Sequence, residues 1–253
     1  MPLWPKMPMS FKLTGWILAG ALSAFAQPWA SAQDAARGIA VWQKTIGPED
    51  LPVRVAGISF SAKANTLRVA DNPPDHAVKL AEAAQAAGAL AGCNASYFHA
   101  DGRPLGLVIA DSKTIHSQER AKLLSGILAV RGNRIELVRA AEFRPGPEVS
   151  QAVQSGPWLV ENGDAIEGLD ASKRARRTVV ATDGRGQWAL IVFTSPTLAD
   201  TARILADTSN LTGWKVRDAL NLDGGGSTAL WAADGFSLPE YGHVRNFLLV
   251  MPR

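Results

Sequence analysis

The chain has a single cysteine, Cys93, among 253 residues, so no intrachain disulfide can form and the fold has to rest on an ordinary core. Cys93 sits in the apolar stretch "ALAGCNASYF" and reads as a buried small residue, not a nucleophile. Histidine is scarce too: there are four, none at a paired metal-ligand spacing, which argues against a histidine-based metal centre. Internal repeats, low-complexity tracts and long Pro/Ser linkers are missing, which predicts one unit. The one long apolar stretch, Leu13–Ala26, contains Gly15 and Gly20 and falls short of the roughly 20 residues a membrane span needs. It follows Lys6 and Lys12 and precedes Ala30-Ser31-Ala32, a small-x-small cleavage pattern. The expectation is a signal peptide over 1–32, a single domain over 33–253, and a periplasmic or secreted protein with no stable membrane span after cleavage. The alternative is an uncleaved amino-terminal anchor.

A strong excess of one charge is also lacking. The chain carries 26 basic and 23 acidic residues, and loss of Lys6 and Lys12 with the signal leaves 24 against 23, about +1. Nucleic-acid binding would call for a clustered basic face, so none is expected. Period-2 or β-branched runs predict strands near 39–46, 53–60, 66–70, 105–110, 126–130, 134–138, 158–161, 178–182, 188–193, 219–222 and 247–251. Two segments predict helices: "PPDHAVKLAEAAQAAGAL", which is alanine-rich after a proline pair, and "SPTLADTARILADTSN", with a Ser195-Pro196 start. Strands arriving in runs, with two helical interruptions, predict an α+β fold around a mixed, largely antiparallel sheet with a few packed helices.

Strand ends hold the unusual residues. In "LNLDGGGST", Asp223 is followed by Gly224, Gly225, Gly226, Ser227 and Thr228. Each ordered glycine costs more backbone entropy than any other residue, so the run calls for a function. Consecutive glycines let amides converge on an anion, and one such donor can contribute about 2.7–4 kcal/mol in a transition state. Asp223 could serve as general base, nucleophile, metal ligand or turn former. Arg177 and Thr178 open the run "RTVVAT"; a guanidinium suits bidentate phosphate recognition and the hydroxyl adds a donor. Lys173, Arg174 and Arg176 beside them read as a solvated basic run. Asn94, with Tyr97 and Phe98, offers an amide and aromatic rings to a sugar or phosphate. Trp158 and Trp231 lie beside other candidate loops, although core packing is the better reading of any single aromatic.

In this order the motifs resemble the phosphodiester glycosidase family. "GCNASYF", "PLGLVIADSK", "VQSGPWLVENG", "RRTVVATDGRGQ" and "LNLDGGGSTAL" each look like a family segment, the last most specifically, over roughly residues 88–250. The resemblance implies hydrolysis of a sugar-1-phosphodiester, here on a phosphorylated glycan of the envelope or an exopolysaccharide. Asp223, Arg177 and Asn94 are the implied catalytic residues. Thr178, Ser155, Gly156, Gly224, Gly225, Gly226, Ser227, Asp111 and Tyr97 are the implied substrate-binding set. No cofactor is expected, and a divalent metal stays open. Ala95-Ser96 departs from the family's usual Gly-Gly, and "YGHVRNFLLV" lacks its Arg-Pro-Val pattern, which leaves the roles of His243 and Arg245 undefined. Asp111, Asp183 and Asp101 are the candidates for a second acid. Two other readings remain: a metal-dependent phosphodiesterase using Asp223 and Asp111 as ligands, and a non-catalytic phosphoglycan-binding module.

Overall fold

The computed structural model describes residues 38–47, 51–207 and 209–253; the expected signal peptide and its cleavage point lie outside the described residues. Strands are numbered in chain order. The first sheet runs β1 (Ile39–Ile46), β2 (Val53–Ser61), β13 (Gln187–Phe193), β12 (Arg177–Thr182), β14 (Asp218–Asn221), β10 (Trp158–Glu161), β11 (Asp164–Ala165). The second runs β16 (Ser237–Leu238), β15 (Leu230–Ala232), β4 (Ala91–Asn94), β17 (Asn246–Pro252), β3 (Asn65–Asp71). The third runs β6 (Lys113–His116), β5 (Val108–Ala110), β9 (Val149–Ser155), β7 (Gly126–Arg131), β8 (Arg134–Arg139). Every strand pairing among the described residues is antiparallel. The architecture is therefore mostly antiparallel β, in three sheets where one mixed sheet was expected.

Side-chain alternation builds the layers. Along β2, Ala56, Ile58 and Phe60 face a core shared by all three sheets, while Val53 and Val55 face the other way. The second sheet adds Cys93, Leu248 and Val250 to that shared core, and the third adds Val108, Leu128 and Val153. Cys93 is fully buried, as its apolar setting predicts. Each large side chain buried this way contributes roughly 1.5–3 kcal/mol. The outer faces are covered separately. Helix α1 (Leu80–Ala86) lays Leu80 and Ala84 on Phe247 and Leu249. Helix α2 (Leu198–Asp207) lays Ala202 and Leu205 on Val179 and Ile191. Phe143 covers Ile127 and Ala152.

Both helices are shorter than their sequence segments. Residues Pro74–His76 form only a 3-10 turn, and α1 starts where the Leu80 N–H donates to Glu240 Oε1 at 2.9 Å. Helix α2 is capped by Thr197, not Ser195: the Asp200 N–H donates to Thr197 Oγ1 at 3.0 Å, and the Thr197 N–H donates back to Asp200 Oδ2 at 3.3 Å. This is a reciprocal cap that satisfies two free amides.

Candidate active site

Four strand ends meet at one place: the ends of β4, β9 and β14 and the start of β12. Antiparallel pairing of β12 with β14 sets Val179 opposite Asn221, so the chain leaving β14 runs past Thr178, whose carbonyl accepts the Leu222 N–H at 2.8 Å. The next amide, of Asp223, donates to the Ala95 carbonyl at 2.9 Å. The glycine run is thereby held against the ends of both β12 and β4.

Asn94 is the bracket. It is fully buried, its Nδ2 donates to the Asp223 carbonyl at 2.6 Å, and its Oδ1 accepts from Thr178 Oγ1 at 2.7 Å and from the Ala229 N–H at 3.0 Å. Both Asn94 and the equally buried Thr178 face protein groups. They fix the loop before and after the glycines.

The three glycines differ. A Cβ on Gly224 would lie 2.7 Å from the Arg176 carbonyl oxygen, and Gly225 has φ +62°, a left-handed conformation that glycine adopts without strain. A Cβ on Gly226 would meet nothing within 4 Å. The Gly224 N–H donates to Asp223 Oδ1 at 2.8 Å and the Gly225 N–H to the Arg176 carbonyl at 2.9 Å. Two of the three amides thus shape the turn, and only that of Gly226 stands outside these bonds, on the exposed tip.

Asp223 is half-buried, and burial raises its pKa above the ordinary carboxylate value, partly offset by the Ser227 hydroxyl and the Gly224 amide. Tyr97 stands beside it. Its hydroxyl donates to the Gly156 carbonyl at 2.7 Å and accepts from Asn221 Nδ2 at 2.7 Å. Burial first, and then the Asp223 charge, push the Tyr97 pKa upward, against an opposing pull from Arg177. Gly156 is required here because a Cβ would come within 1.9 Å of the Leu123 carbonyl oxygen. Ser155 is buried with a hydroxyl that has no partner.

Arg177 and Arg176 supply positive charge. Arg177 Nη2 donates to the Lys173 carbonyl at 2.8 Å, its Nε is buried without a partner, and burial lowers its pKa. Arg176 is not part of a solvated run: its Nη2 donates to the Thr228 carbonyl at 2.7 Å and its Nη1 is buried without a partner. Nearby Arg174 pairs with Asp200, and buried Arg245 pairs with Asp71. Neither Arg176 nor Arg177 makes an ion pair among the described residues, although the Asp170 charge acts on Arg177 at longer range.

Other sequence candidates lie elsewhere. Asp111 binds Arg68 in a two-point ion pair, at 3.1 and 2.6 Å, and accepts from Gln151 Nε2 at 2.9 Å. It shares no hydrogen-bond partner with Asp223, which accepts from the Gly224 N–H. Among the described residues no group of three His, Cys, Asp or Glu side chains is placed to hold a metal. Asp101 pairs with Arg103 across its own turn, and Asp183 accepts from the Arg185 and Gln187 amides. Trp158 and Trp231 are core residues. His243 packs edge-on against Phe98 at 5.5 Å, and burial lowers its pKa. Sequence reasoning missed Asn221 and Arg176. Asn221 lay within the quoted motif, whereas nothing in the run of cations distinguished Arg176.

The antiparallel β scaffold matches solved structures in fold. The catalytic domain of zebrafish N-acetylglucosamine-1-phosphodiester alpha-N-acetylglucosaminidase, solved auto-inhibited by its pro-peptide, superposes with TM-score 0.65 at 18% identity, covering 85% of this chain and 83% of that one. A hypothetical protein from Synechocystis gives TM-score 0.60 at 17% identity, covering 85% of this chain and 62% of that one. No curated protein sequence matches. The sequence profile of the phosphodiester glycosidase family matches residues 87–251, and the chain belongs to that family.

Proposed function

We propose that the protein hydrolyses a sugar-1-phosphodiester at the bond between C1 and the phosphate oxygen, on an exported phosphoglycan. The observation that carries this is the pair Arg176 and Arg177, half-buried cations that make no ion pair among the described residues, at the strand start against which the loop of half-buried Asp223 is held. A cation left uncompensated in a partly buried place is costly unless an anion joins it. A substrate phosphodiester is such an anion.

The chemistry follows from position. Arg177 receives the phosphate, and the Gly226 amide, on the exposed tip of the loop and outside the bonds that hold its two neighbours, is the backbone donor left to join it. Water attacks C1, the C1–O bond breaks, and its electron pair leaves on the phosphate oxygen, giving a phosphate monoester. Asp223 takes the proton from the water and faces the positive charge developing on the sugar. Burial makes Asp223 a stronger base than an exposed aspartate, while Ser227 and Gly224 hold its orientation. Asn94 and Thr178 act through the loop as positioning residues. Asp111, held by Arg68, takes no part in this scheme.

Hydrolysis in ¹⁸O-labelled water tests the reading. Label is expected in the sugar hydroxyl at C1. Label in the phosphate means P–O cleavage, as in a phosphodiesterase, and overturns it. Failure of any sugar-1-phosphodiester to turn over, with binding retained, supports the phosphoglycan-binding module instead.

A further inference from the structure

An exposed aromatic ring stands against Arg176, on a residue tied to the glycine run. Tyr241 is 78% exposed, yet its backbone is fixed, because its N–H donates to the Gly226 carbonyl at 2.8 Å. The Arg176 guanidinium covers one face of the ring, 4.4 Å from the centroid. Arg176 is itself anchored, through Nη2 to the Thr228 carbonyl and through its own carbonyl to the Gly225 N–H. An exposed tyrosine without such ties needs no explanation. This one is a flat surface, oriented in advance, open on one face, and attached to the glycine that the fold leaves unobstructed.

We propose that Tyr241 is a sugar-stacking platform, whose open face packs against the apolar face of a pyranose in the substrate while Arg176 holds the ring from behind. Aromatic rings offer a large, rigid apolar surface with few rotors to immobilise, and a pyranose presents a matching patch of C–H groups. The proposal rests on the sugar-phosphodiester reading, since the pyranose belongs to the molecule whose phosphate Arg177 receives. That pyranose is either the sugar released or a saccharide carried on the phosphate.

Steady-state kinetics on two diesters separate these sources: a hexosyl-1-phosphate methyl ester, and the same hexosyl-1-phosphate joined to a second hexose. Tyr241→Ala keeps the backbone bond to Gly226 and removes an exposed ring, so folding should be unaffected. It is expected to raise KM about tenfold with kcat unchanged, and Tyr241→Phe should restore the wild-type value. A rise for both diesters assigns the platform to the released sugar; a rise for the two-hexose diester alone assigns it to the saccharide beyond the phosphate. An unchanged KM for both, or a lowered kcat that Tyr241→Phe does not restore, overturns the proposal. Binding gives a readout independent of turnover. The chain has two tyrosines, so 3-fluorotyrosine labelling yields two ¹⁹F resonances, and titration with glucose 1-phosphate should move the one absent from Tyr241→Phe. Movement without turnover on any diester keeps the platform and removes the hydrolysis; turnover without movement keeps the hydrolysis and removes the platform.

Discussion

Replacing Asn94 by alanine separates a brace from a catalytic group. The amide makes three bonds, to the Asp223 carbonyl, the Thr178 hydroxyl and the Ala229 N–H. All three are lost together, in a place with no water to replace them, since Asn94, Thr178 and Ala229 are each at most 1% exposed. An unsatisfied buried polar group costs about 1–3 kcal/mol, so the network loss should come to roughly 3–6 kcal/mol once non-additivity is allowed for. With a urea slope of about 2 kcal/mol/M, the unfolding midpoint should fall by roughly 1.5–3 M at an unchanged slope. Thr178→Val removes only one donor to Asn94 Oδ1, which keeps the Ala229 bond, and should cost about 1 kcal/mol. The double variant should be little worse than Asn94→Ala alone, because the shared bond is already gone. A midpoint that barely moves while kcat collapses refutes this account and makes Asn94 a group that meets the substrate.

Asp223→Asn preserves shape and should lower kcat by about 10²–10⁴ without unfolding the protein. Because burial raises the Asp223 pKa above 3.8, the folded state holds this proton more tightly than the unfolded chain. The wild-type carboxylate therefore destabilises the fold fully above the folded pKa, and less as pH falls through it towards the unfolded value. Asp223→Asn should accordingly be the more stable protein at neutral pH, with the difference closing below about pH 4; thermal melts across pH show whether it does. Arg177→Met should raise KM for the diester at least about tenfold through loss of a charge-assisted contact, with little change in melting temperature, since the bond it removes is a single one from Nη2 to the exposed Lys173 carbonyl and no ion pair is broken. Gly224→Ala places a methyl 2.7 Å from the Arg176 carbonyl and should cost about 1–3 kcal/mol. Gly226→Ala meets nothing and should leave urea unfolding unchanged while raising KM.

Long, β-branched runs were legible because packing and propensity agree in them: β2, β12 and β13 lie where alternation places them. Two strands next to the site were not. Strand β4, Ala91-Gly92-Cys93-Asn94, has no β-branched residue, and it is a strand because β15 and β17 flank it so closely that a Cβ on Gly92 would lie 2.8 Å from Leu249 Cδ2. Strand β9 is disguised by Gln151 and Gln154, which read as loop. Both are buried and bond backbone groups from other segments: Gln151 Oε1 accepts the Val69 N–H at 2.9 Å and Gln154 Oε1 the Leu107 N–H at 3.0 Å. Tertiary context overrode local preference at both strands. The fold's fine structure is least legible next to the site.

The glycine run shows the same limit within three residues. One letter repeated three times carries one message, a backbone without Cβ, yet each position has its own reason. Gly224 lets the Arg176 carbonyl approach, Gly225 turns the chain through φ +62°, and Gly226 answers to neither demand. The entropy cost of the first two is offset by a loop that presents Asp223 and orients its carboxylate. For Gly226 the fold offers no such return: it lies on the exposed tip of the loop, and its carbonyl accepts the backbone N–H of Tyr241. A side chain there would intrude on a ligand, not on the protein. That makes Gly226 the position where a substitution harmless to stability reports most directly on what the loop was built to hold.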